Sequence, residues 1–221
     1  MTQDTHQIES DVQAAVEADP AQVAERVRAI TLGALTRGVV DTQALREVTQ
    51  AVLRGAQAAT PRVDASQTEG IKEAVRGLDE ALASAAQATQ LAVQEALGRG
   101  GEFSREGLKQ SLDQLSRLEG DFVAALGDAA RQTSGVAQAT LRDLAEHARS
   151  SGTAVGQRVQ SAVLDLGHAM SDFARAQVDS SVRALGAQAE LVAGMAAGVL
   201  RGLADRLHAD PTAKPEQDRH D

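Results

Sequence analysis

No cysteine occurs in the 221 residues, so neither a disulfide framework nor a thiolate metal site can be built. That fits a reducing compartment, and the expected location is cytoplasmic, at most peripheral on a granule or membrane. Aromatic residues are nearly missing: Phe103, Phe122 and Phe173 stand alone, without Trp or Tyr. Proline is absent from Arg62 to Asp210. Because proline removes a backbone donor and clashes with the preceding turn, its absence permits very long helices. No basic stripe exists either. The formal charge is −9, and it is spread evenly: residues 104–149 hold seven acids and six bases, and 150–210 hold six and five. Phosphate neutralisation needs a cationic surface, so nucleic acid is excluded as a partner.

Long hydrophobic runs are missing as well. The longest, Leu191 to Leu200, has ten residues, which is too short to span a bilayer. Met1 to Ser10 is polar and lacks a signal-peptide pattern. Motifs of chemistry are equally scarce. There is no nucleophile elbow, phosphate loop or His-x-x-x-His pair. Gly98-Arg99-Gly100-Gly101 follows a helical pattern instead of a strand, so it reads as a hinge. His147 and His168 lie three heptads apart without further ligands of short spacing, and read as surface histidines. No enzyme, cofactor, metal or small-molecule substrate is expected.

What the chain has is small and branched apolar residues every three or four positions, the signature of amphipathic helices. Hydrophobic residues make up 43%, with alanine the commonest among them. Alanine removes little area from water, at about 25 cal/mol per Å2, so length of contact or association with a second surface must compensate.

Three short helices open the chain. Ile8, Val12 and Val16 stripe the first, ending near Ala18. Asp19-Pro20 starts the second, with a capping carboxylate before a proline whose angle is already set. Val23, Val27, Ile30 and Ala34 stripe it, and Gly38 is placed to end it. Asp41 caps the third, with Val40 and Leu45 as a staple and Leu45, Val48 and Val52 as its stripe. Residues 1–60 thus read as a small helical module.

Residues 61–210 read as long helices over about 67–98, 104–150 and 153–208. Ser66 and Glu69 form a capping box for the first. Ile71, Val75, Leu78, Leu82, Ala85, Thr89, Ala92 and Ala96 then give a heptad seam. Phe103, Ser104 and Leu108 occupy staple, cap and fourth helical positions of the next. Its stripe runs through Leu108, Leu112, Leu115, Phe122, Leu126, Ala129, Thr133, Val136, Thr140, Leu144 and Ala148, while Lys109, Asp113, Arg117 and Asp121 alternate on a solvent-facing side. Ser150-Ser151-Gly152-Thr153 is the best turn. Val155, Val159, Val163, Leu166, Met170 and Phe173 resume the stripe, and Val182, Leu185, Val192, Val199, Leu203 and Leu207 extend it. Residues 211–221, with Pro211 and Pro215, read as a disordered tail.

The fold class expected is all-α: an elongated antiparallel helical hairpin or bundle beside the N-terminal module. One unbroken helix of about 105 residues is the alternative, stable only if something covers its stripe. The helix-packing interface is assigned to Leu108, Leu112, Leu115, Phe122, Leu126, Val159, Val163, Leu166, Phe173, Gly194, Gly198 and Gly202. The last three, four residues apart, would let two backbones approach closely.

Several segments carry a resemblance: Ile30-Thr31-Leu32-Gly33-Ala34-Leu35, Leu45-Arg46-Glu47-Val48, Gly77-Leu78-Asp79-Glu80-Ala81-Leu82, Phe103-Ser104-Arg105-Glu106-Gly107-Leu108-Lys109-Gln110, Leu118-Glu119-Gly120-Asp121-Phe122 and Ser151-Gly152-Thr153. Together they resemble an uncharacterised bacterial family, a domain of unknown function, over most of residues 8–208. The resemblance implies a mostly helical protein and assigns no site. In composition and stripe alone the chain is also similar to phasins, which coat polyester granules. The expected function is therefore structural: self-association as a homo-oligomer, or binding of a helical protein partner. A phasin-like coat on a hydrophobic granule or lipid surface is the alternative.

Overall fold

The computed structural model describes residues 2–36, 42–59, 65–98 and 105–177. Among them are seven α-helices and no strand: α1 Thr2–Ala18, α2 Val23–Leu35, α3 Thr42–Ala58, α4 Ala65–Gly98, α5 Arg105–Gln132, α6 Gly135–Ser151 and α7 Ala154–Gln177. The fold is all-α, as the stripes predict.

Local chemistry places several ends. Asp19 is extended, and its carboxylate accepts from the Ala21 amide at 3.0 Å, starting a single 3-10 turn over Pro20–Gln22 that leads into α2. α2 ends through Thr36, whose amide bonds the Leu32 carbonyl. Gly38, Val40, Asp41, Phe103 and Ser104, assigned to caps and staples, lie outside the described residues. α4 differs from expectation at its start: it already includes Ala65, so Ser66 lies inside the first turn instead of ahead of it.

The helix expected over 104–150 is broken. Thr133 turns its hydroxyl back onto the Ala129 carbonyl at 3.0 Å, Ser134 is extended, and Gly135 has φ +66°. Residues with poor helix propensity followed by a left-handed glycine reverse the chain. α6 then returns along α5, where Gly127 lies beside Arg149 and Glu119 meets Thr153. α7 continues in the same sense along α5, completing an antiparallel arrangement. α4 runs parallel to α7: Asp79 meets Ala154 and Val155, and eleven residues later Gln90 bonds Asp165 at 2.7 Å.

One core joins these helices from Ile8 to Leu166. Its largest fully buried side chains include Leu32, Leu53, Ile71, Leu78, Leu82, Leu126, Leu141 and Leu166, from α2 through α7. The helices of residues 1–60 share that core: α2 and α4 touch backbone to backbone at Ala24 and Gly77, and Arg46 of α3 pairs with Asp121 of α5 at 2.7 Å. Asp121 thereby leaves the solvent-facing ladder and is held between helices.

Candidate functional site

Of the residues assigned to helix packing, Leu115, Phe122, Leu126, Val159 and Leu166 are buried, and Val163 is half-buried against the core. They converge within one chain. Leu108 and Leu112 lie on α5 and Phe173 on α7, but their side chains fall outside the described set, as do Gly194, Gly198 and Gly202. Two buried leucines lay off the assigned stripe. Leu118 sits three residues after Leu115, and Leu141 adjoins Thr140, which with Ala148 is buried on the assigned stripe. Leu144, between them on that stripe, is half-buried.

The most developed polar arrangement is a junction at the start of α7. Gly152, with φ +78° and ψ 177°, ends α6, its amide still bonded to the Ala148 carbonyl at 3.0 Å. That backbone region is open almost solely to glycine. The first amides of α7 then lack main-chain partners, as at any helix start. Asp79 of α4 and the Thr153 hydroxyl supply the acceptors, and Glu119 of α5 holds that hydroxyl in place. Asp79 of α4 accepts from the Ala154 amide at 2.8 Å and the Val155 amide at 2.9 Å. The Thr153 hydroxyl accepts from the Gly156 amide at 2.8 Å and donates to Glu119 Oε1 of α5 at 3.0 Å. Gly156 leaves room for this carboxylate, since a Cβ there would overlap it.

Two carboxylates thus converge on the positive end of a helix, where negative charge is favoured. The fit has a cost. Burial pushes the Asp79 carboxyl above its ordinary value of 3.8; its two amide donors pull it back, and the Glu119 charge adds to the rise. Both Asp79 oxygens and one of Glu119 are already engaged, so the chemistry this junction performs is helix capping across elements.

Nearby, Leu45, Arg46, Thr49, Leu82, Leu118, Asp121 and Phe122 line a shallow depression with room for about 10 Å3, no more than a water molecule. His147 and His168 are exposed, and the His147 ring nitrogen lies 3.4 Å from the Ser151 hydroxyl. Among the described residues, no three His, Asp or Glu side chains gather as metal ligands would, and no helix is long and apolar enough to cross a membrane.

Four segments that carry the family resemblance therefore meet in space: Asp79 and Glu119 come from two of them, Thr153 from a third, and Arg46 reaches Asp121 from a fourth. A family of unknown function, DUF6781, matches the chain over residues 1–209. The chain belongs to this family. No curated protein matches it, and no solved structure matches it. Asp79, Glu119 and Thr153 were not singled out by sequence reasoning. The signal was their place in the quoted segments, which periodicity cannot convert into a role because Asp79 and Glu119 lie beside the apolar stripe, not on it.

Proposed function

We propose that this protein is a non-enzymatic helical scaffold that works by contact, as a homo-oligomer or with a helical protein partner. The observation that carries the reading is how its polar chemistry is used: the carboxylates at the start of α7 hold helices to one another. The stripes of α4 to α7 are spent likewise on the chain's own core. In sequence the apolar recurrence continues through Val182, Leu185, Val192, Val199, Leu203 and Leu207, with Gly194, Gly198 and Gly202 among them, all within the family match. Self-association would draw on that apolar recurrence. Light scattering on the full chain over a range of concentrations tests this. A mass at a multiple of the 23.0 kDa chain supports it, and a concentration-independent single-chain mass removes self-association.

A second reading, a phasin-like coat in the cytoplasm, draws on Leu91 and Leu164, the large apolar side chains left exposed among the described residues. Exposed leucines favour an uncharged apolar surface, whereas anionic bilayers call for basic flanks that a net charge of −9 opposes. Mixing purified protein with polyester particles distinguishes this reading. Protein left wholly in the supernatant counts against it.

A further inference from the structure

The break between α6 and α7 interrupts a stripe without displacing it. Leu141, Ala148, Val155 and Ala162 recur every seven residues and are all buried. Ala145, Val159 and Leu166 fall on a second series of the same period, with Gly152 filling its vacant step. Steps of four and three therefore run through the break as an unbroken heptad seam. A straight helix from Gly135 to Gln177 would present the same side chains to the core.

The amide hydrogen bonds also exchange one for one, while the Thr153–Glu119 bond is given up. In the broken form the Ala154 and Val155 amides go to Asp79 and the Gly156 amide goes to the Thr153 hydroxyl. In a straight helix the same three amides would reach the carbonyls of Ser150, Ser151 and Gly152.

We propose that the α6–α7 joint is a two-state hinge. In one state Asp79 and Glu119 clamp the start of α7 and Gly152 is left-handed; in the other the clamp is open and α6 and α7 form one continuous helix. Closing the break replaces the two non-helical residues Gly152 and Thr153 by helical ones at about 1.5 Å each, which shortens the chain across the joint and draws α7 toward α6. The burial that pushes Asp79 up means the closed clamp holds its charge at a cost. The straight form instead places a glycine inside a helix, which is unfavourable relative to alanine. Gly152→Ala therefore acts on both states in the same direction, removing that cost and straining the left-handed form.

The absence of native cysteine allows a direct test in the full chain. Spin labels at His147→Cys and Arg158→Cys, both exposed, report the separation across the joint. The measurement is made in three backgrounds: otherwise unchanged, Gly152→Ala, and Asp79→Ala with Glu119→Ala. The inference predicts that both altered backgrounds move to the axial separation of eleven helical residues, about 16 Å, while amides 153–156 stay protected from exchange. An unchanged separation in both overturns it. So does a broadened one with protection lost at 153–156, which is fraying. A Gly152→Ala chain that fails to fold also overturns it, because the straight form must itself be folded.

Discussion

Gly77 of α4 faces the backbone of Ala24 of α2 so closely that a Cβ would overlap the Ala24 carbonyl oxygen. Gly55 of α3 meets the Glu9 carbonyl of α1 in the same way, with Val12 beside it. Backbone cannot give way as a side-chain tip can. Gly77→Ala and Gly55→Ala are therefore expected to cost about 2 kcal/mol or more by prising helices apart. Gly120 in α5 has nothing within 4 Å of the corresponding position. Gly120→Ala is expected to gain about 0.5–1 kcal/mol from helix propensity. Urea midpoints of the three variants check the opposite signs.

Thr31 and Thr153 are both buried, yet the same substitution should act on them oppositely. The Thr31 hydroxyl has no hydrogen-bond partner. Thr31→Val replaces it with a methyl group of like shape, and a gain of about 1 kcal/mol is expected. The Thr153 hydroxyl serves both Gly156 and Glu119, so Thr153→Val is expected to cost about 1–2 kcal/mol. Thermal unfolding of the pair reads the contrast.

Asp79 gives the fold a pH dependence of defined sign. Its carboxyl is raised in the folded chain, so the native state takes up its proton before the unfolded chain does. As pH falls through the interval that opens upward from 3.8, this residue adds stability, completed below that value; as pH rises through the interval, the gain is lost. Asp79→Asn removes the titration. The stability difference between wild type and this variant is expected to move in favour of wild type between about pH 7 and about pH 4. Urea titrations at both values measure it, and a shift of opposite sign contradicts the assignment.

Gly135 turns the chain from α5 to α6 with φ +66° and nothing near its side-chain position. Gly135→Ala therefore meets backbone strain alone, and is expected to cost about 1–2 kcal/mol. A circular-dichroism melt of this variant beside Gly120→Ala separates strain from propensity.

How far the fold could be read follows from these same residues. Periodicity located the helices and most of the core, because Ile71, Leu78, Phe122 and Leu166 follow a 3.6-residue rhythm that burial imposes. A break at Gly152 was legible from Ser150-Ser151-Gly152-Thr153, but the reversal expected there is absent: α7 continues in the sense of α6, and the chain turns back at Gly135 instead. Thr133-Ser134-Gly135 carries a similar signal, but the apolar steps through Ala129, Thr133 and Val136 masked it. The junction was not legible. Asp79, Glu119 and Thr153 are 40 and 34 residues apart in sequence order, and their meeting depends on the parallel register of α4 with α7, a tertiary property without a local pattern.

The account rests on a single core in which the first 60 residues and the later helices unfold together. Amide hydrogen exchange on the full chain under native conditions tests this most directly. The prediction is that the slowest amides of α2, around Val27 to Leu32, share one opening free energy with those of α4 around Leu78 and of α7 around Val159. A distinctly lower opening energy confined to α1, α2 and α3 would contradict it.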